Sequence, residues 1–267
     1  MKQNIQLIII RAGLATKGLI YITVGFIALL SVVGSMQKRS DSKGAIRWFL
    51  EQPFGPYIVL GIAAGLFCYA GWKLARAFLG DPEHSDDKIR IIHGLGGLGY
   101  ISIALYAVGL GLRGLQITDD RMTSGSGSNK EQIVRLLLDS TTGKIMLILA
   151  VFAILGFAYS QLHKALSGNY REQVNASKLD NRYKRLLIKA GCIGYIGRAT
   201  TFCILAYLLG MAIWHHNPNK VGGTSDAFDF LKGMGGELTV SALAVGMICY
   251  GIFALLQARY RDLHVVV

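Results

Sequence analysis

Lys17 and Arg198 are the residues of this sequence best placed to do chemistry, because each is a cation set inside a long apolar run. An ionisable side chain within a membrane span is costly and marks a functional position unless it reaches the surface. Both stand near enough to a span end to snorkel, with the stem in lipid and the charge among headgroups. The alternative is a ring of cations that attracts an anionic solute. Tyr21, Tyr100, Thr23, Ser102 and Thr201 are the polar residues at comparable positions, so they join Lys17 and Arg198 as candidate solute or headgroup contacts. No Asp or Glu falls in the middle of any apolar run. An acid partner is therefore hard to build, and a proton-coupled pump is disfavoured.

Other chemistry is less well supported. His93 and His163 fall at similar depth and could face one another, but haem ligation needs a supporting motif that is absent. His215 and His216 are adjacent, so on a helix they point apart and cannot share a metal. Cys68, Cys192, Cys203 and Cys249 form no CxxC pair and read as small buried apolar residues. Gly94–Gly99 (GLGGLG) does not fit the dinucleotide fingerprint and has no strand before it. Ser124–Ser128 reads as a flexible linker. The expectation is of no catalytic residue, no cofactor and no metal site, and so of no enzyme.

The elements that must position these side chains are membrane spans. Charged residues make up 16% of the chain, hydrophobic residues 52%, and 33 of the 267 residues are Gly. The mean hydropathy is +0.41. Disorder, collagen-like structure and a small disulfide scaffold are excluded by this composition. A helix needs roughly 20 mostly apolar residues to cross roughly 30 Å of hydrocarbon. Six segments qualify: Ala12–Gly34, Pro56–Phe78, Leu95–Leu115, Gly143–Leu166, Cys192–Trp214 and Glu237–Gln257. Met1–Ile10 reads as an interfacial lead-in rather than a cleaved signal peptide.

Lys and Arg set the orientation. With the N-terminus inside, the inner side carries 17 Lys/Arg and the outer side 11, while the acids divide 7 and 9. Both termini are expected to be cytoplasmic. The net charge of +12 then reads as a topology and headgroup signal, with membrane lipids and other membrane proteins as partners and no nucleic acid.

The chain also repeats itself. Gly18-Leu-Ile-Tyr21-Ile-Thr23 opens the first span and Gly97-Leu-Gly-Tyr100-Ile-Ser102 the third. Gly194–Phe202 opens the fifth in weaker form, with Arg198 standing where Lys17 stands and Gly96 at that place in the middle copy. Between spans, Ala45–Leu50, Ile133–Leu138 and Asp226–Leu231 are each followed five residues later by a glycine: Gly55, Gly143 and Gly236. Ile46, Phe49 and Leu50 share one helical face, as do Val134, Leu137 and Leu138, and Ala227, Phe230 and Leu231. These read as short amphipathic helices on the outer membrane surface. In the second span of each unit Gly61 and Gly65 match Ala242 and Gly246, and Cys68-Tyr69 matches Cys249-Tyr250. Small residues at that spacing let backbones approach, so Gly61, Gly65, Ala242 and Gly246 are the expected packing positions.

Arg11–Tyr21, Gln52-Pro-Phe-Gly55, Gly191–Phe202 and the threefold recurrence together resemble the bacterial membrane proteins grouped as domain of unknown function 1206. The resemblance covers about Arg11–Leu263. It implies a bacterial inner-membrane protein and implies no biochemical activity.

The expected fold is therefore all-α and integral to the membrane: six transmembrane helices as three parallel two-helix repeats at 11–80, 90–168 and 189–263. A unit with an even number of spans keeps its orientation, so successive copies are related by rotation about the membrane normal. The expected function is a structural or interaction role in the inner membrane. The alternative is a channel or carrier for a small, anionic solute along the pseudo-threefold axis.

Overall fold

The computed structural model describes residues 2–34, 41–78, 87–115, 137–138, 140–168, 181–216 and 224–260. It is all-α. The described helices are α1 (Lys2–Val32), α2 (Ser42–Leu50), α3 (Gly55–Phe78), α4 (Asp87–Gly114), α5 (Thr141–Ser167), α6 (Asn181–Trp214) and α7 (Thr224–Tyr260). All but α2 contain a stretch long and apolar enough to cross a membrane: Leu7–Val32, Gly55–Phe78, His93–Gly114, Thr141–Ser167, Lys184–Trp214 and Thr224–Tyr260. These are the six expected spans, with the first and fifth lengthened at their N-terminal ends and the sixth chiefly before Glu237. In lipid the backbone must satisfy its own hydrogen bonds, so the helices run through the Gly-rich stretches that would weaken them in water.

The spans form an open ring. α1 packs against α3 and α7, α3 against α4, α7 against α6, and α6 against α5. Among the described residues α4 and α5 scarcely meet. The expected middle two-helix unit is thus not a packing unit, since each of its spans leans on the neighbouring unit instead. α1 and α7 are the most enclosed spans, and α5 faces outward along most of its length. The main core runs through Ile20, Val24, Ile27 and Ala28 of α1, Val59, Ile62 and Leu66 of α3, Ala104 and Ala107 of α4, and Leu243, Ala244 and Met247 of α7.

The short helix α2 closes the end of the bundle opposite the termini. Asp41 caps it, its carboxylate accepting the Gly44 amide at 2.6 Å. Ala45 and Ile46 are fully buried, and Phe49 and Leu50 pack on the same core. α2 contacts α1, α3 and α4, so its apolar face enters the protein rather than lying in the membrane surface as expected. Arg47 Nε donates to the Tyr106 hydroxyl at 2.7 Å, and Lys43 stands over the Tyr106 ring, tying α2 to α4. Asp41→Ala should cost about 1 kcal/mol, read as a lower melting temperature of the detergent-solubilised protein.

The glycines after the short helices sit at junctions. A Cβ on Gly55 would collide with the Leu50 carbonyl, and one on Gly143 with the Leu137 carbonyl. Gly236 has φ 66° and ψ −159°, which breaks α7 into a short first part and a span. In that first part Ala227 and Phe228 are the deeply buried residues, whereas the expected Phe230 turns toward Tyr207, with ring centroids 5.2 Å apart. The likeness of α2 to 226–231 therefore holds at Ala227 and Leu231, and Phe228 takes the place of Phe230. Of the expected middle short helix only Leu137 and Leu138 fall among the described residues, and Leu138 is buried. Ile133–Leu136, the Ser124–Ser128 stretch and residues 171–180 lie outside the described residues.

Candidate functional site: a tyrosine-capped cation pair

Lys17 lies ten residues into its span, about 15 Å along α1 at 1.5 Å per residue. A lysine that deep would leave its charge in hydrocarbon unless the protein supplied acceptors. It turns inward and is 6% exposed. Its Nζ donates to the hydroxyl of Tyr250 at 2.6 Å and of Tyr69 at 3.0 Å. The ammonium also stands over both rings, 4.9 Å from the Tyr69 centroid and 5.0 Å from that of Tyr250. Arg198 Nη1 donates to the same Tyr250 hydroxyl at 2.7 Å, and its guanidinium lies 4.5 Å over the Tyr250 ring and 5.3 Å over that of Tyr21. Both cations therefore face the interior and use tyrosine as ligand, which overrides the snorkelling expected from their sequence positions.

Five tyrosines build this site. Tyr21 meets Tyr250 edge-on at 4.9 Å, Tyr100 meets Tyr69 edge-on at 4.7 Å, and Tyr195 packs on Tyr250 at 5.7 Å. A tyrosine face attracts a cation through its quadrupole, and the hydroxyl adds a hydrogen-bond acceptor. The phenols supply acceptors to both cations without adding a charge of opposite sign.

Glycines let the helices come close enough for this. A Cβ on Gly13 would lie 2.7 Å from the Tyr69 Cα, and one on Gly194 would lie 2.6 Å from the Tyr250 Cα. Gly18 faces Gly251 across the α1–α7 contact, and Gly197 faces Gly246 across α6–α7. Gly65 sits against Thr16. Gly61 and Ala242, one turn away, are exposed, and nothing lies within 4 Å of a Cβ built at Gly61. Close contact thus uses Gly65 and Gly246 but not their spacing mates, which face outward.

The expected hydroxyl contacts are turned to their own helices. Thr23 donates to the Leu19 carbonyl at 3.0 Å, Thr201 to Gly197 at 2.9 Å, and Ser102 to Gly99 at 3.1 Å. This back-bonding satisfies a hydroxyl proton where water is absent. Thr23 and Thr201 are buried and Ser102 is exposed. His163 lies on an exposed face beside Tyr159, whereas His93 Nδ1 is 3.4 Å from Lys73 Nζ. Among the described residues no cluster of His, Cys, Asp and Glu could hold a metal ion.

Tyr69, Tyr250 and Lys73 were not among the expected site residues. A signal for the tyrosines did exist. Lys17 and Arg198, Tyr69 and Tyr250, and Gly13 and Gly194 are each separated by 181 residues (198 − 17, 250 − 69, 194 − 13). The bond from Lys17 to Tyr69 and that from Arg198 to Tyr250 are therefore one contact made twice.

Comparison with known proteins finds the same step. The family model described as Domain of Unknown Function (DUF1206) matches residues 12–80 and 193–261. The chain is similar to "Uncharacterized protein YxxB" of Bacillus subtilis (strain 168), at 24% identity over 255 residues, which is 95% of this chain and 90% of that protein. No solved structure matches it.

Proposed function

The chain belongs to the family of Domain of Unknown Function 1206, and for it we propose a structural and interaction role in the membrane. The observation that carries this reading is the closed lattice of Lys17, Arg198, Tyr69 and Tyr250, which ties α1, α3, α6 and α7 together where a central pathway would have to run. Glycine contacts across α1–α7 and α6–α7 support it, because backbones that touch leave no room for a solute between them. In this reading the protein performs no catalytic step, lies in the inner membrane with both termini cytoplasmic, and meets lipids and other membrane proteins through its outer faces.

We read the middle span pair as a third, diverged copy. Support comes from three aromatic contacts at equivalent places around the ring: Tyr100 on Tyr69, Tyr21 on Tyr250, and Phe202 on Phe157. Each joins the first span of one copy to the second span of another.

The second reading is a carrier for a small anion, which the inward-facing Lys17 and Arg198 favour. Flux decides between them. Proteoliposomes loaded with chloride or phosphate should leak no faster than protein-free vesicles. Flux well above that background, lost in Lys17→Met, would replace the structural reading with the carrier.

A further inference from the structure

The third cation position is filled from outside its own helix. Gly96 of α4 stands where the other copies carry Lys17 and Arg198. Lys73 of α3 lies against that gap, its Nζ 3.2 Å and its Cδ 3.3 Å from where a Gly96 Cβ would be. It stands within reach of His93 Nδ1, at 3.4 Å. Arg76 follows three residues later on the same helix. Neither of the spans that carry these cations, Gly55–Phe78 and His93–Gly114, contains an Asp or Glu to offset the charge.

Depth separates this group from the tyrosine-capped pair. Lys73 is five residues from the end of α3, about 7 Å along the helix. His93 opens the α4 span and Lys164 stands three residues before the end of α5. That is the level of lipid headgroups on the side of the termini. Among the described residues the ring is open between α4 and α5. Both helices carry large apolar side chains in the open, among them Leu95 and Leu98 on α4 and Leu155 and Leu162 on α5. Gln161 of α5 adds a buried amide, 6% exposed, whose Oε1 has no hydrogen-bond partner. By count from the junction glycines Gly55 and Gly143, it is the α5 equivalent of Lys73. Turned over, that amide offers two N–H donors to an anion.

We propose that Lys73 and His93 form a binding site for the phosphate of an anionic phospholipid, whose acyl chains lie between α4 and α5. A lipid fits better than a free anion because the cations sit at headgroup depth beside an apolar opening. The proposal does not depend on a sealed core, so vesicle flux and lipid retention can fail separately.

The test is lipid retention by the full-length protein, delipidated and re-exposed to mixed phosphatidylglycerol and phosphatidylcholine, then examined by native mass spectrometry. Wild type should hold one phosphatidylglycerol in preference to phosphatidylcholine. Lys73→Gln should reduce that retention about fivefold, the effect of one cation near a charged membrane surface. Lys73→Arg should preserve it. Melting curves establish that each variant is folded, and Lys73→Arg keeps the test open if Lys73→Gln is not. Equal retention of the two lipids, or retention by folded Lys73→Gln at the wild-type level, would overturn the proposal. So would displacement of the bound lipid by millimolar inorganic phosphate, which would make the free anion the ligand.

Discussion

Tyr250→Phe should lower stability by about 3–5 kcal/mol through the loss of one oxygen atom. The Tyr250 hydroxyl accepts from Lys17 at 2.6 Å and from Arg198 at 2.7 Å, one bond for each of its two lone pairs. A hydrogen bond to a charged group contributes about 1.5–3 kcal/mol, and a buried charge left without one costs more than the bond itself was worth. Phe keeps the ring, so the contacts with Tyr21 and Tyr195 and the cation–π geometry survive. The loss is therefore confined to the acceptor. Tyr69→Phe should be milder, at about 1–2 kcal/mol, because Lys17 retains Tyr250. Lys17→Met should be close to neutral, since it removes the charge along with its need for partners. Thermal melts of the three variants in one detergent test the ranking. Equal shifts for Tyr250→Phe and Tyr69→Phe would show that the shared hydroxyl is not the centre of the lattice.

Gly13→Ala and Gly194→Ala should each destabilise by about 1–3 kcal/mol, as overpacking of a tight contact does. The added carbon would meet the Cα of Tyr69 or of Tyr250 at 2.7 or 2.6 Å, and backbone cannot swing aside as a side-chain tip can. The helices must part, and parting them draws the tyrosine hydroxyls away from the cations. Gly61→Ala supplies the contrast. Nothing lies within 4 Å of its Cβ, so the gain in helix propensity, about 0.5–1 kcal/mol, is unopposed. Opposite signs at Gly13 and Gly61, measured by melting temperature, separate close packing from a general effect of glycine in these helices.

Much of the fold was legible in the chain because a bilayer imposes length and polarity on each span separately. The six spans, the helix at 42–50 and the junction glycines needed no knowledge of neighbours. The recurrence of Gly18 and Gly97, or of Lys17 and Arg198, located matching positions but not their direction. Whether a cation snorkels or turns inward depends on what another helix offers. Tyr69 and Tyr250 were legible as a matched pair but not as ligands, because a tyrosine in an apolar run reads equally well as packing. Lys73 was hidden more deeply, since it serves a position on α4 from α3. Nothing along the sequence of α4 and α5 reports that they scarcely meet among the described residues, for that depends on which surfaces α3 and α6 present to them.

The Lys17–Tyr250 bond spans 233 residues, and that separation has a consequence in time. A ribosome adds about 5–20 residues per second, so Tyr250 is made roughly 10–50 seconds after Lys17. Tyr69 follows Lys17 by only 52 residues and can meet it early. During synthesis Lys17 therefore waits in the membrane with Tyr69 made and Tyr250 still to come. The last helix both completes the bundle and relieves that wait. A chain cut short before α7 would be left with an under-coordinated charge in the bilayer, a mark by which membrane quality control could tell an unfinished copy from a finished one.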